Sequence, residues 1–269
     1  MRRALSMYRR LLSIQVRSQL EYRISFLFDF IASVLYFSFW FLSIALIFQK
    51  FDNLGGWSLP EVAFLYGMVE MAFGWMDMIF GGFDPSYFGY QVRLGTLDQI
   101  LLRPVDVIIQ IFGSQFLLRR LGRIVQGIVI FGYAIAWLEI DWTLGKVIYV
   151  PLILIGLICF FGGLFVIGST ITFWTIQSIE VVNIFTYGGS EMMSYPMHIY
   201  QRWMRQFFTY IIPAIFLNYY PALYILDKPD PLNFPPIVRF ISPLVGMGIL
   251  FLAFQFWRFG IRHYQSTGS

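Results

Sequence analysis

The chain has 269 residues, of which 58% belong to the apolar set AVILMFWYC, 20% are aromatic and 13% are charged. Soluble domains carry roughly 25% charged residues, and a chain of this size has too little interior to hide so much apolar surface, so lipid must solvate much of it. A single cysteine excludes an internal disulfide, two histidines with it are too few for a zinc or haem cluster, and the net charge of +4 fits basic residues retained on one side of a membrane better than nucleic-acid binding.

Taken in chain order, residues 1–23 predict an amphipathic helix. Arg3, Arg10 and Arg17 recur every seven residues, and Leu5, Tyr8, Leu12 and Val16 share another face. A basic helix of this kind lies on a membrane surface. A spanning helix needs roughly 20 mainly apolar residues. Six segments are expected to span: 24–48, 61–82, 120–140, 147–174, 206–226 and 240–260. Asp29 is the only charge in the first, and Glu70 and Asp77 interrupt the second. Pro213 and Pro221 break the fifth. The first apolar segment is too long for a signal-peptide core, so it is expected to stay in the mature protein.

An even number of spans puts both termini on one side. With the N-terminus inside, fifteen arginines fall in cytoplasmic segments, among them Arg202 and Arg205, against Lys50, Lys146, Lys228 and Arg239 outside. That bias predicts cytoplasmic termini.

The loop after the second span reads FDPSYFGYQVRLGTLDQILLRP. It predicts a short helix near residue 96, capped by Thr96 or Asp98, with Leu97, Leu101 and Leu102 on one side and Pro104 at its end. Such a helix, parallel to the membrane, would present a surface to a soluble partner; an ordinary connecting loop is the alternative. Arg119, Arg120 and Arg123 stand where the third span enters lipid, set to meet lipid phosphates or Asp98 and Asp106. Residues 177–205 read as a second cytoplasmic bend that includes His198. The proline-rich stretch from 211 to 240 predicts a re-entrant hairpin after a short fifth span. Acids within spans are functional candidates, here Asp29, Glu70 and Asp77. Glu70 and Asp77, seven residues apart, share a helix face and suit either a cavity lining or pairing with a neighbouring span, whereas Asp29 also suits the inner interface.

Searches for chemistry return nothing: no phosphate-binding loop, no HExxH, no potassium-filter string, and Gly189-Ser190 is followed by Glu191 rather than the glycine of a serine-protease motif. No catalytic or metal-binding residue is expected.

Three segments carry a family resemblance: LGTLDQILLRP (94–104), SYPMHIYQRWMRQFFTYIIPAIFLNYYPALYIL (194–226) and FWRFGIRHYQSTGS (256–269). With them, the chain resembles the permease subunits of bacterial ABC transporters of the type-2 exporter group. The resemblance implies an all-α membrane protein of six helices in one permease domain (24–269), preceded by a cytoplasmic elbow helix (1–23). It also implies a coupling helix between the second and third spans and a re-entrant element between the fifth and sixth. Arg93, Gly95, Thr96, Asp98, Leu101 and Arg103 would then contact a separate ATPase, present in two copies and binding ATP and Mg. A second permease chain, like or unlike, would complete the unit in the bacterial inner membrane, exporting an amphipathic or lipid-like substrate. The rival reading is a stand-alone secondary transporter or channel that uses Asp29, Glu70 and Asp77.

Overall fold

The computed structural model describes residues 2–175 and 180–265, which are helical apart from turns, loops and one isolated bridge, Leu54 to Trp57. In chain order the helices are α1 (Arg2–Glu21), α2 (Arg23–Lys50), α3 (Leu59–Ile79), α4 (Pro85–Arg93), α5 (Thr96–Leu101), α6 (Val107–Ser114) and α7 (Leu121–Trp137). They continue with α8 (Leu144–Thr175), α9 (Glu180–Asn183), α10 (Gly189–Met193), α11 (Arg202–Tyr210), α12 (Tyr219–Ile225) and α13 (Ser242–Arg262). A π-turn, Ile184–Gly188, joins α9 to α10.

Four helices, α2, α3, α8 and α13, are long and apolar enough to cross a membrane. Their bounds lie within a few residues of the expected first, second, fourth and sixth spans. α7, the expected third span, has 17 residues and packs antiparallel to α3. The backbone of Gly67 meets Phe131, and Gly74 meets Ile124. α8 and α13 run parallel and close. A Cβ on Gly246 would stand 2.0 Å from the carbonyl oxygen of Gly156, so only glycine admits this approach. Packing of small residues is the rule where lipid removes the hydrophobic drive between helices.

Contacts sort the chain into two ends. The proximal end holds α1, the segment from α4 to α6, and the C-terminal end of α13. The distal end holds the loop from α2 to α3 and the approach to α13. At the distal end His198 bonds Gly55, Lys228 bonds Gly56, and Lys146 pairs with Asp227.

These contacts bear on the expected fifth span. Residues 198 and 228 flank the α11–α12 pair and touch the same loop, so the chain enters and leaves this pair at one end. The pair is bent by 77° at the break before Ala214, where a span was expected at 206–226. Buried Asn218 fixes its tip, donating to the carbonyls of Leu65 (3.1 Å) and Met193 (2.9 Å). The leg that links the two ends is α9, the π-turn and α10, inside the stretch read as a cytoplasmic bend. Arg202 and Arg205, expected in a cytoplasmic segment, follow closely on His198, which touches the distal loop. The leg through α9 and α10 carries Asn183, Gly188, Gly189 and Glu191 and so lacks a long apolar run.

α1 is amphipathic as expected. Tyr8, Leu12 and Val16 face the molecule with Leu11, Gln15 and Gln19, while Arg10 and Arg17 are exposed; the side chains of Arg3 and Leu5 lie outside the described residues. Gln15 donates to Ser114 O (2.8 Å) and Gln19 to Phe116 O (2.5 Å), while Leu118 N–H donates back to Gln19 Oε1 (2.9 Å). Two amides one helical turn apart thus satisfy the open backbone between α6 and α7.

Candidate functional site

The segment between α3 and α7 is built from caps. Asp84 accepts from the amides of Ser86 and Tyr87, both at 3.0 Å, and starts α4 with Pro85 behind it. Gly95 then takes a left-handed conformation (φ +67°) and turns the chain into α5, so neither Thr96 nor Asp98 is the N-cap expected from sequence. Asp106 caps α6 through Ile108 and Ile109 rather than meeting an arginine. The Gln110 amide donates to Ile100 O (3.1 Å) and Val105 O (3.0 Å), closing the turn after α5.

Of the six residues expected to contact an ATPase, Arg93, Leu101 and Arg103 are exposed, Thr96 and Asp98 are half-buried, and Gly95 is buried. The three leucines do not share a face. Leu97 is buried, Leu101 is at the surface, and Leu102 is 86% exposed. Leu94 is exposed beside them and was missed from sequence. The result is an apolar knob with an arginine at each end, Arg93 and Arg103. Asp98 faces the Tyr264 hydroxyl; burial, and then this carboxylate, push Tyr264 up to about 12.

Beneath the knob the segment is fastened to the long helices. Ser169 on α8 donates to Phe83 O (2.5 Å). The buried Trp257 ring of α13 lies 5.2 Å from Phe83, 5.3 Å from Phe88 and 5.0 Å from Phe173. Edge-to-face contacts with Phe83 and Phe88 and a tilted one with Phe173 join α4, α8 and α13 into one block.

A second charged constellation lies between α3 and α7. Arg123 grips Glu70 with two bonds of 2.7 Å, both side chains almost fully buried. Its guanidinium sits 4.5 Å from the Phe37 ring centroid and 4.2 Å from that of Phe73. One turn nearer the proximal end Arg120 pairs with Asp77 at 2.7 Å. Two of the three expected intramembrane acids are therefore neutralised by arginines expected to meet phosphates, Asp98 or Asp106. A bidentate pair between aromatic faces desolvates well because each charge keeps its partner and the ring quadrupoles add to it. Asp29 is not brought to this cluster; it is exposed on α2.

At the distal end His198 bridges Gly55 O (2.7 Å) and the Tyr219 hydroxyl (2.9 Å), with Trp57 stacked on Tyr219 at 5.7 Å. Lys228 reaches Gly56 O (3.1 Å) and Glu61 (2.6 Å). These contacts close the distal end over the hairpin. Among the described residues no group of three or more His, Cys, Asp or Glu is placed to hold a metal ion.

A family model described as ABC-2 family transporter protein matches residues 34–268. No curated protein and no solved structure matches the chain. Long apolar helices, an exposed proximal knob and a family match over most of the chain agree. The chain belongs to the ABC-2 transporter family, as a multi-pass membrane permease subunit of an ABC transporter that works with an ATPase partner.

Proposed function

We propose that this permease crosses the bacterial inner membrane six times, through α2, α3, α7, α8, the α9–α10 leg and α13, with the proximal end and both termini in the cytoplasm. α1 is its elbow helix, α5 its coupling helix and α11–α12 its re-entrant element. Two ATPase subunits bind ATP and Mg, and two permease chains form the pathway between them. The chain itself carries out no chemistry. ATP-driven closure of the ATPase pair moves α5, and alternating access follows by rigid-body re-packing of the helices. Its aromatic-rich helices suit an amphipathic or lipid-like cargo.

The observation that supports this most is the construction of the proximal knob. Leu94, Leu101 and Leu102 offer an apolar contact that water does not favour. The same segment is bolted to α8 and α13 through Phe83, Phe88 and Trp257, so a push on α5 is delivered to two long helices at once. The rival reading loses its two central groups, since Glu70 and Asp77 are held in ion pairs rather than free to bind a proton or cation.

Leu102→Asp tests the proposal cleanly, because an 86% exposed side chain has no role in holding the fold. The variant is expected to fold with unchanged thermal stability, to lose co-purification with the ATPase, and to abolish transport. Retained co-purification would remove α5 from the interface. Transport by the permease alone in liposomes without nucleotide would overturn the reading altogether.

A further inference from the structure

Asp29 and Arg119 have no place in the mechanism above. Both line one open groove of about 390 Å³ between α1, α2 and the turn that leads into α7. Ser18, Gln19, Tyr22 and Ser25 supply the rest of its polar wall. The two opposite charges share the groove without touching. Among the described residues no ion pair within 4.0 Å involves either of them, although Arg120, the next residue, pairs with Asp77. The backbone leading to Arg119 is held. It follows directly on Phe116 and Leu118, whose backbone is clamped by the Gln19 amide at 2.5 and 2.9 Å. Gln19 therefore both lines the groove and fixes the backbone that presents the guanidinium.

Asp29 lies six residues into α2, about 9 Å along the helix from Arg23. This is the depth of the lipid headgroup and the first methylenes, just above the surface where α1 lies. A carboxylate and a guanidinium more than 4.0 Å apart, lining one groove with hydroxyls, complement a ligand that carries both a negative and a positive charge. Above the groove the walls turn apolar. Tyr36, two helical turns beyond Asp29 on the same face, and Val125 and Val129 on α7 are all exposed.

We propose that this groove binds the headgroup of an ethanolamine phospholipid, its phosphate on Arg119, its ammonium on Asp29, and its acyl chains along α2 and α7. The bound lipid joins the elbow helix to the first long helix and to the entry of α7. The phosphate takes the planar fork of Arg119, and the ammonium donates to Asp29 and the neighbouring hydroxyls. An anionic headgroup satisfies only Arg119 and sets its own charge against Asp29, so the site selects zwitterionic over anionic lipid.

The test is native mass spectrometry of the full-length permease in detergent, given phosphatidylethanolamine and phosphatidylglycerol of equal chain length. The wild type is expected to retain the ethanolamine lipid about tenfold more, the factor one charge-assisted contact at a partly exposed site supplies. Asp29→Asn abolishes the preference and leaves phosphatidylglycerol retention equal or higher. Arg119→Gln lowers retention of both. Both side chains are exposed, so neither variant is expected to change thermal unfolding. Equal retention of the two lipids by the wild type, an undiminished preference in Asp29→Asn, or undiminished retention of both lipids in Arg119→Gln overturns the proposal. Displacement of the bound lipid by soluble glycerophosphoethanolamine would overturn the membrane source and assign the groove to a soluble phosphate ester.

Discussion

α2 and α3 are consecutive long helices, and they obey opposite rules. α2 is the more apolar of the two, yet Ile44 is its single buried residue; α3 is the more polar, and almost all of it is buried. In water this order would be perverse. In lipid it is what physics demands, because the solvent is the apolar phase and the protein interior is the only place where a polar group finds partners. α3 carries Glu70 and Asp77 because Arg123 and Arg120 of α7 stand opposite them. α2 touches its neighbours at few points, among them the carbonyl of Phe37, which accepts from Tyr66 (3.0 Å) and Gln126 (3.3 Å).

The contrast breaks most completely at the buried pair. Arg123→Ala strands a carboxylate that is 2% exposed, and removing one partner of a buried pair costs about 3–5 kcal/mol. The variant is expected to lose most of its folded, monodisperse yield in detergent, read by fluorescence-detected size exclusion after heating. Glu70→Leu combined with Arg123→Leu should recover much of that loss, because no charge is left unpaired. If the double variant is as unstable as the single one, the pair's role is shape and not charge.

Two smaller effects sharpen the contrast on the same helix. Gly67→Leu drives a side chain into the backbone of Phe131, which stands 2.8 Å from a Cβ at that position. Separating α3 from α7 should cost about 1–3 kcal/mol, seen as a lowered melting temperature. Arg120→Gln removes the partner of Asp77, but the arginine is 25% exposed, and water can reach the site. A loss of about 1–2 kcal/mol is expected, below that of Arg123→Ala. Equal losses for the two arginines would mean that depth within the bundle does not matter.

How much of this was written in the sequence follows from the same contrast. α2, α8 and α13 were legible because lipid contact requires long uninterrupted apolar runs. α3 was legible less clearly, since its acids interrupt the run. Their partners were not legible at all: Glu70 and Arg123 are 53 residues apart, and only the antiparallel packing of α3 on α7 brings them together. The seven-residue spacing put both acids on one face, as pairing with a neighbouring helix requires, but acids seven apart meet arginines three apart, a mismatch absorbed by the long arginine side chains. The fifth leg failed for the reverse reason. Its small and polar residues face protein and a π-turn, so it lacks the apolar signature that the bent α11–α12 pair carries. In the proximal segment, local signals placed α5 well. Which leucines it exposes depends on α4, α6 and α13, and no local pattern encodes that.

The smallest expected effect is the one that tests what α2 faces. Leu35→Ala and Phe39→Ala remove large side chains that are 53% and 65% exposed. If lipid or detergent covers them, each should shift stability by less than about 0.5 kcal/mol, as surface substitutions do. Phe73→Ala, the same kind of truncation on α3, should cost about 3–5 kcal/mol. A covering protein chain would behave differently, because stability borrowed from a second subunit depends on its concentration. Melting curves of the Leu35→Ala and Phe39→Ala double variant over a dilution series therefore separate the two coverings. Curves that overlay wild type at every concentration are expected. A deficit that appears only at high concentration, where the wild type gains stability from assembly, would make this face of α2 a contact between permease chains, and its apolarity a property of an interface.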